Sequence, residues 1–225
     1  MKKVIIFSFL FFILQSAFAQ EIIFSTGISM HSLKKLKNFQ NNYINNAVVT
    51  LKSTQSFPPF LQYSFLARMR VSENLKAGIS VYQTSTAARS TYEDYSGKLE
   101  VDQSLRCIGT GIYTSYLINK TPKGKISVYA NLGVDLSTLD LAINARVFDA
   151  VDNSKETFHA TSLMAEIGIE YQHFFSKQFF LHINGGPHIS QEKMLKSDSD
   201  HSEWEKVNWT GFKLMAGIGF NFTRN

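Results

Sequence analysis

From Asn208 to Phe222 the chain reads NWTGFKLMAGIGFNF, and the side chains change character at every step. Thr210, Phe212, Leu214, Ala216, Ile218, Phe220 and Phe222 share one face, while Trp209, Gly211, Lys213, Met215, Gly217, Gly219 and Asn221 share the other. A period of two is the signature of a β-strand. The run exceeds the ~9–11 residues that a tilted strand needs to cross a bilayer. The bulky face then narrows the fold. A soluble barrel turns that face inward, whereas a barrel in lipid turns it outward and keeps small and polar residues inside.

Seven further segments repeat the pattern. They are Ile22–His31, Leu61–Ser72, Leu75–Thr86, Gln103–Ile118, Lys125–Ser137, Ser162–Phe174 and Gln178–Ser190. In Lys125–Ser137, for example, Ile126, Val128, Ala130, Leu132, Val134 and Leu136 oppose Ser127, Tyr129, Asn131, Gly133 and Asp135. Ile22–His31 alternates least cleanly, because Ile23 interrupts its polar face. Most runs outlast the four to eight residues typical of a soluble strand.

The connections alternate too. Glu73-Asn74, Asn119–Gly124 and the neighbourhood of Ser176-Lys177 are short, whereas Leu33–Phe60, Ala87–Asp102, Thr138–Thr161 and Gln191–Val207 are long. Short turns at one end and long loops at the other mark a bacterial outer-membrane barrel with an even number of strands. The pattern therefore predicts an all-β fold, an eight-stranded antiparallel up-and-down transmembrane β-barrel with both termini on the periplasmic side. Tyr116, Phe174, Phe175, Phe179, Phe220 and Phe222 fall near the turns, and Tyr63, Trp209 and Phe212 near the loops. Two interfacial aromatic bands are expected from that spacing.

The N-terminus carries Lys2 and Lys3, an apolar run from Val4 to Leu14 and Ala17-Phe18-Ala19. That order is a basic region, a short apolar region and a small-residue cleavage site. Residues 1–19 are expected to be a cleaved signal peptide, with the barrel domain spanning 20–225, and the chain to be exported to the outer membrane of a Gram-negative bacterium. The run is shorter than the ~20 residues of a spanning helix. A closed sheet is then the way left to satisfy every backbone group in lipid. Lys and Arg number 23 against 18 Asp and Glu, and the excess falls to about three once Lys2 and Lys3 are removed. So mild a balance gives no reason to expect a nucleic-acid partner. The lone Cys107 has no second cysteine to pair with and reads as a structural thiol in the barrel wall.

Eight strands enclose a space that side chains fill. On this register the interior holds Arg68, Arg70, Lys76, Asp135, Glu166, Glu170, His182, His188 and Lys213, with Tyr82, Tyr113 and Tyr129. Buried charges of both signs should pair, because an unpaired one is costly. Glu166 and Glu170 are expected to partner Arg68 and Arg70. The set reads as a structural plug, with a gated ion path or a binding site as the sharper alternative. No cofactor, metal spacing or phosphate-binding glycine loop is expected from the sequence, and no catalysis.

Two loop segments bear on partners. Lys34, Lys35 and Lys37 precede an asparagine-rich stretch, and at the outer leaflet they would face lipopolysaccharide phosphates or plain solvent. The mixed-charge segment Lys193–Lys206 is expected to hold little fixed structure. A protein partner, if there is one, would meet the long outer loops.

The residues AFAQ at the cleavage site, SENLKAGISVY, FSKQFFLHINGGP and the terminal GIGFNF carry a resemblance over nearly all of the mature chain. It resembles the small outer-membrane β-barrel proteins of the Bacteroidetes type, loosely grouped with PorT-like and OmpA/OmpX-like barrels. The resemblance implies architecture, and it implies outer-membrane lipid as surroundings. Gly217, Phe220 and Phe222 also resemble the terminal signal read by the barrel-assembly machinery, with Met215 standing where a polar residue is usual. Separately, His188-Ile189-Ser190 resembles the His-x-Ser of outer-membrane lipid A deacylases. It lacks that family's arginine before the histidine and asparagine after the serine, and the register turns both side chains inward.

Overall fold

Hydrogen bonds close the alternating segments into a ring. The computed structural model describes residues 20–46, 52–95, 97–147, 150–198 and 203–222. Residues 1–19, with the expected signal peptide, lie outside that set. In chain order the elements are β1 (Glu21–His31), α1 (Lys34–Asn46), β2 (Lys52–Ser56), β3 (Phe60–Arg70), β4 (Leu75–Asp94), β5 (Gly97–Lys120), β6 (Gly124–Val147), β7 (Ala150–Phe174), β8 (Phe179–Ser190), β9 (Lys193–Ser197), β10 (Glu203–Val207) and β11 (Gly211–Asn221).

The ring runs β1-β3-β4-β5-β6-β7-β8-β11 and returns to β1, every pair antiparallel. This is the predicted eight-stranded antiparallel barrel. The first and last strands seal it over their full length, from Glu21 opposite Asn221 to His31 opposite Gly211. Beyond the strand end, Phe222 N donates to Gln20 O at 2.8 Å. Short turns are set by side chains: Ser176 Oγ accepts from the amides of Gln178 and Phe179 at 3.2 and 3.0 Å. Thr121 N donates to Gly124 O at 2.8 Å across the β5–β6 turn.

Strand length separates the wall into two zones. β1, β3, β8 and β11 have 11 or 12 residues, close to one bilayer crossing. β4 to β7 have 20 to 25 and continue well beyond it. On β5, β6 and β7 the hydrophobic pattern inverts where they do. On β5 the outward residues Ile108 and Ile112 are apolar and exposed, and the next outward residue beyond Ile108 is the exposed Arg106. The inward residues change in the opposite sense, from Ser115 and Gly109 to the buried Leu105 and Val101. β6 changes between Leu136 and Thr138, and β7 between Leu163 and Thr161. Leu136 pairs with both Ile108 and Thr161, so the changes fall within one step of each other along the ladder. The lower zone is apolar outside and polar inside. The upper zone has the polarity of a soluble barrel.

The expected long loops Ala87–Asp102 and Thr138–Thr161 are therefore largely strand. The two hairpins pair with each other out to Gly97 opposite Val147. β2 extends this upper sheet along β4, and β9 extends it along β7, with β10 paired to β9. The segment expected to hold little structure, Lys193–Lys206, is thus partly a hairpin, because Leu195 and Val207 are fully buried. The first loop contains α1, which packs against β10, β2 and β4. Leu33, Leu36, Phe57, Phe60, Leu105, Leu139, Phe158, Leu195, Val207 and Trp209 form one buried cluster in this upper zone.

Leu33 and Phe57, which flank the excursion through α1 and β2, have φ of 41° and 39°. A left-handed backbone costs about 1–3 kcal/mol at a residue with a Cβ. Both side chains are almost wholly buried, and burial of a large apolar side chain contributes about 1.5–3 kcal/mol. The apolar core holds the strained positions in place.

Candidate functional site: the charged barrel interior

The interior of the lower zone is built in layers from inward-pointing residues of successive strands. At the turn end, Arg68 on β3 is the hub. Its Nε donates to Glu21 Oε2 at 2.9 Å, and its Nη1 donates to both oxygens of Glu170 at 2.9 and 2.8 Å and to Ser115 Oγ at 3.2 Å. Lys76 Nζ donates to Glu21 Oε1 at 2.7 Å and to Gln172 Oε1 at 3.2 Å. Tyr113 OH donates to Glu170 Oε2 at 2.8 Å, and His182 Nε2 lies 3.1 Å from the same oxygen.

A second cluster lies nearer the loop end. Glu166 accepts from Tyr129 OH at 2.7 Å and from Lys213 Nζ at 3.3 Å. Lys213 Nζ also sits 3.5 Å above the Tyr82 ring, and Tyr82 OH donates to Asp135. His188 stands between two acids, with Nε2 at 3.1 Å from Asp135 Oδ2 and Nδ1 at 3.7 Å from Glu166 Oε2. The stacked rings of Tyr113 and Tyr129, 5.1 Å apart, join the two clusters. Between them lies a cavity of about 40 Å³ lined by Ser25, Gln62, Ser80, Asn131, Asn184 and Glu166 among others. Polar side chains stand among Leu66, Val81 and Met215 in its wall, and its volume suits ordered water.

Three inward aromatics fit because glycine stands opposite each on the neighbouring strand. A Cβ on Gly109 would lie 2.1 Å from the Tyr82 ring, one on Gly168 2.8 Å from Tyr129, and one on Gly219 2.1 Å from Phe180. Tyr82 pairs with Gly109, Tyr129 with Gly168 and Phe180 with Gly219 in the ladders. The small inward residues of the alternating pattern are the sockets for these rings.

Of the predicted interior set, Arg68, Asp135, Glu166, Glu170, His182, His188 and Lys213 are buried together. Arg70 is not among them. It is exposed at the turn end of β3, one step past the last enclosed level of the barrel. Glu170 pairs with Arg68 as expected, but Glu166 takes Lys213 in place of an arginine. Trp209 also departs from expectation. It is 1% exposed, its Nε1 donates to Ser137 Oγ at 2.8 Å, and it belongs to the upper core rather than an outer aromatic band. The alternation that turns Lys213 inward turns Trp209 inward as well. Phe174 follows the same rule, leaning inward onto Phe180. Tyr63, Tyr116, Phe175, Phe179, Phe212 and Phe222 do stand exposed on the outer wall.

Sequence reasoning missed Glu21 and His31. Both lie on the inward face of β1, where Ile23 had obscured the pattern. Ile23 itself packs inside against Leu66, Tyr113, Tyr129 and Phe180. His31 Nδ1 lies 2.5 Å from Trp209 O, and its ring meets Trp209 edge-on. His188 and Ser190 both face the interior and are buried. The interior can chemically hold charge in fixed pairs. Each carboxylate of the two clusters has a cation or histidine beside it, so the arrangement fills and rigidifies the barrel.

No protein-family model matches the chain, and no curated protein matches it. Solved structures similar to it include Ail, the attachment invasion locus protein of Yersinia pestis, with 16% identity over 91% of this chain and 99% of that one, at a TM-score of 0.40. Neisserial surface protein A is 10% identical over 90% of this chain and 96% of its own, at 0.42. A major outer membrane protein from Thermus thermophilus is 9% identical over 90% of this chain and 99% of its own, at 0.44.

Proposed function

We propose that this chain is an integral outer-membrane β-barrel protein of a Gram-negative bacterium, with a structural or surface-interaction role and a lumen closed to solutes. The observation that carries the reading is the inversion of polarity along β5 to β7. Below Ile108, Leu136 and Leu163 the wall exposes apolar side chains around the barrel, as a lipid environment requires. Above them most outward residues are polar, as water requires. Ion pairs fill the lumen in the lower zone and apolar side chains fill it in the upper zone. The two long hairpins project a polar sheet away from the bilayer, which suits contact with a neighbouring molecule.

Lys34 and Lys35 are exposed on α1, while Leu33 and Leu36 anchor it. They are the residues offered to lipopolysaccharide phosphates, and the terminal strand is the one offered to the assembly machinery. Membrane fractionation joined to planar-bilayer recording tests the reading. Recovery in the outer-membrane fraction, an electrophoretic mobility that shifts on heating and an absence of conductance steps are expected. Recovery in the aqueous periplasmic fraction, or stepwise conductance, would overturn it.

A further inference from the structure

The turn-end mouth of the lumen gathers cations on its inner face. Arg70 continues the inward phase of Arg68 on β3 and stands directly opposite Lys76 on β4. Lys125 shares the inward phase of Ser127 on β6 and stands directly opposite Lys120 on β5. Like charges set opposite each other on one face of a sheet are destabilising. The mouth holds two such pairs, and its acids do not offset them. Glu21 is shared by Lys76 and Arg68, and Glu170 is taken by Arg68, Tyr113 and His182. Among the described residues no carboxylate lies within ion-pair distance of Arg70, Lys120 or Lys125. Lys125 Nζ sits 4.7 Å over the ring of the inward Phe174 instead.

Arg70, Lys76 and Lys125 line one cleft of about 20 Å³ with Ser115, Ser127 and the turn residue Glu73 among others. A space of that size holds about one oxygen-sized group. Two spare donors belong to residues that hydrogen-bond to this cleft. Gln172 Oε1 accepts from Lys76 Nζ at 3.2 Å, while Gln172 Nε2 is buried with no hydrogen-bond partner. Arg68 Nη1 donates to Ser115 Oγ at 3.2 Å, while Arg68 Nη2 is likewise buried and unpartnered. A buried donor left unpaired is costly. Opposed cations and spare donors are relieved by the same thing, an acceptor that carries negative charge.

We propose that this mouth is a binding site for a small oxyanion, the carboxylate or phosphate group of a solute, held by Arg70, Lys76 and Lys125. A guanidinium presents two parallel N–H groups to such an anion, and charge-assisted hydrogen bonds are stronger than neutral ones. Glu73 is exposed in the turn, so water screens its repulsion of the anion. The enclosed layer of Arg68 and Glu170 lies directly beneath, and the anion stops at the mouth. That the mouth opens toward the periplasm rests on the outer-membrane reading above.

The test titrates the full chain, refolded in nonionic micelles, with inorganic phosphate or acetate by calorimetry while sodium chloride keeps the ionic strength constant. Saturable binding of one anion per barrel is expected. Binding of phosphate alone assigns a phosphate group, and binding of acetate alone a carboxylate. The double variant R70Q/K125Q should bind at least about tenfold more weakly, as the loss of charge-assisted hydrogen bonds requires. The charge-matched R106Q/K155Q, at the outer end, should bind as the unaltered barrel does. Neither Arg70 nor Lys125 holds an ion pair, so R70Q/K125Q is expected to keep the heat-shifted band. Should it lose the band, R70Q alone, exposed at the strand end, carries the comparison. No saturable binding of either anion overturns the proposal, as does undiminished binding in the mouth variant. Recovery in the outer-membrane fraction is scored separately. A barrel that inserts but binds neither anion sinks this proposal alone, whereas recovery in the aqueous fraction strikes the membrane reading beneath it.

Discussion

Arg68 Nη1 reaches both oxygens of Glu170, at 2.9 and 2.8 Å, across a separation of 102 residues in sequence. The contact ties β3 to β7 through the interior, between strands that share no ladder. Both side chains are almost completely enclosed. Removing one partner of a buried pair leaves the other charged and unpaired, which costs about 3–5 kcal/mol. Arg68→Met is expected to lower stability by that order, read from the urea midpoint of the barrel in micelles. The double variant Arg68→Met/Glu170→Leu should recover most of the loss. A single variant as stable as the parent would mean that the pair contributes nothing.

The ring-and-glycine sockets give a second expectation. Gly219→Val sets a branched side chain where the Phe180 ring lies, and overpacking of this kind costs about 1–3 kcal/mol. Adding Phe180→Leu should relieve part of the cost. The same unfolding midpoint measures both, and a Gly219→Val barrel with parental stability would show that the ring moves aside freely.

The cap and the membrane zone should fail separately. Leu36 is fully buried in the upper core, and Gln40 Nε2 ties α1 to Ser53 Oγ and Ser90 Oγ at 3.2 Å each. Leu36→Glu is expected to free α1, because burying an unpaired carboxylate is costly. Trypsin should then cut at Lys34, Lys35 or Lys37 at least about tenfold faster, as a local opening weakened by ~1.4 kcal/mol requires. The heat-shifted band should remain. Loss of both together would show that the two zones fold as one unit.

Much of the barrel was legible from alternation alone. Lys213, Glu166 and Asp135 turned up inside because each sits among small or polar residues on a face opposite Leu, Ile and Phe. The upper zone was not legible in the same way. At Leu105, Leu139 and Phe158 the apolar residues change faces, so a pattern read for lipid ends there and the rest resembles loop. Trp209 shows the opposite error, since its position in the sequence suggested an interface while its phase put it indoors. Glu21 was hidden by the neighbouring Ile23, and Arg70 kept the inward phase but lay beyond the enclosed length. Alternation gives the face, and only the three-dimensional strand ends give the depth.

The central claim is that one wall crosses from lipid to water at Ile108, Leu136 and Leu163. It is tested most directly by nitroxide accessibility at single cysteines in a Cys107→Ala background, with the barrel in lipid vesicles. Labels at the outward positions Ile112→Cys, Leu132→Cys, Ile167→Cys and Ile218→Cys should collide with oxygen and be shielded from a water-soluble nickel chelate. Labels at Ser104→Cys, Thr138→Cys and His159→Cys, also outward, should show the reverse. The same preference at every outward position, or a change of preference elsewhere along the strands, would contradict the account.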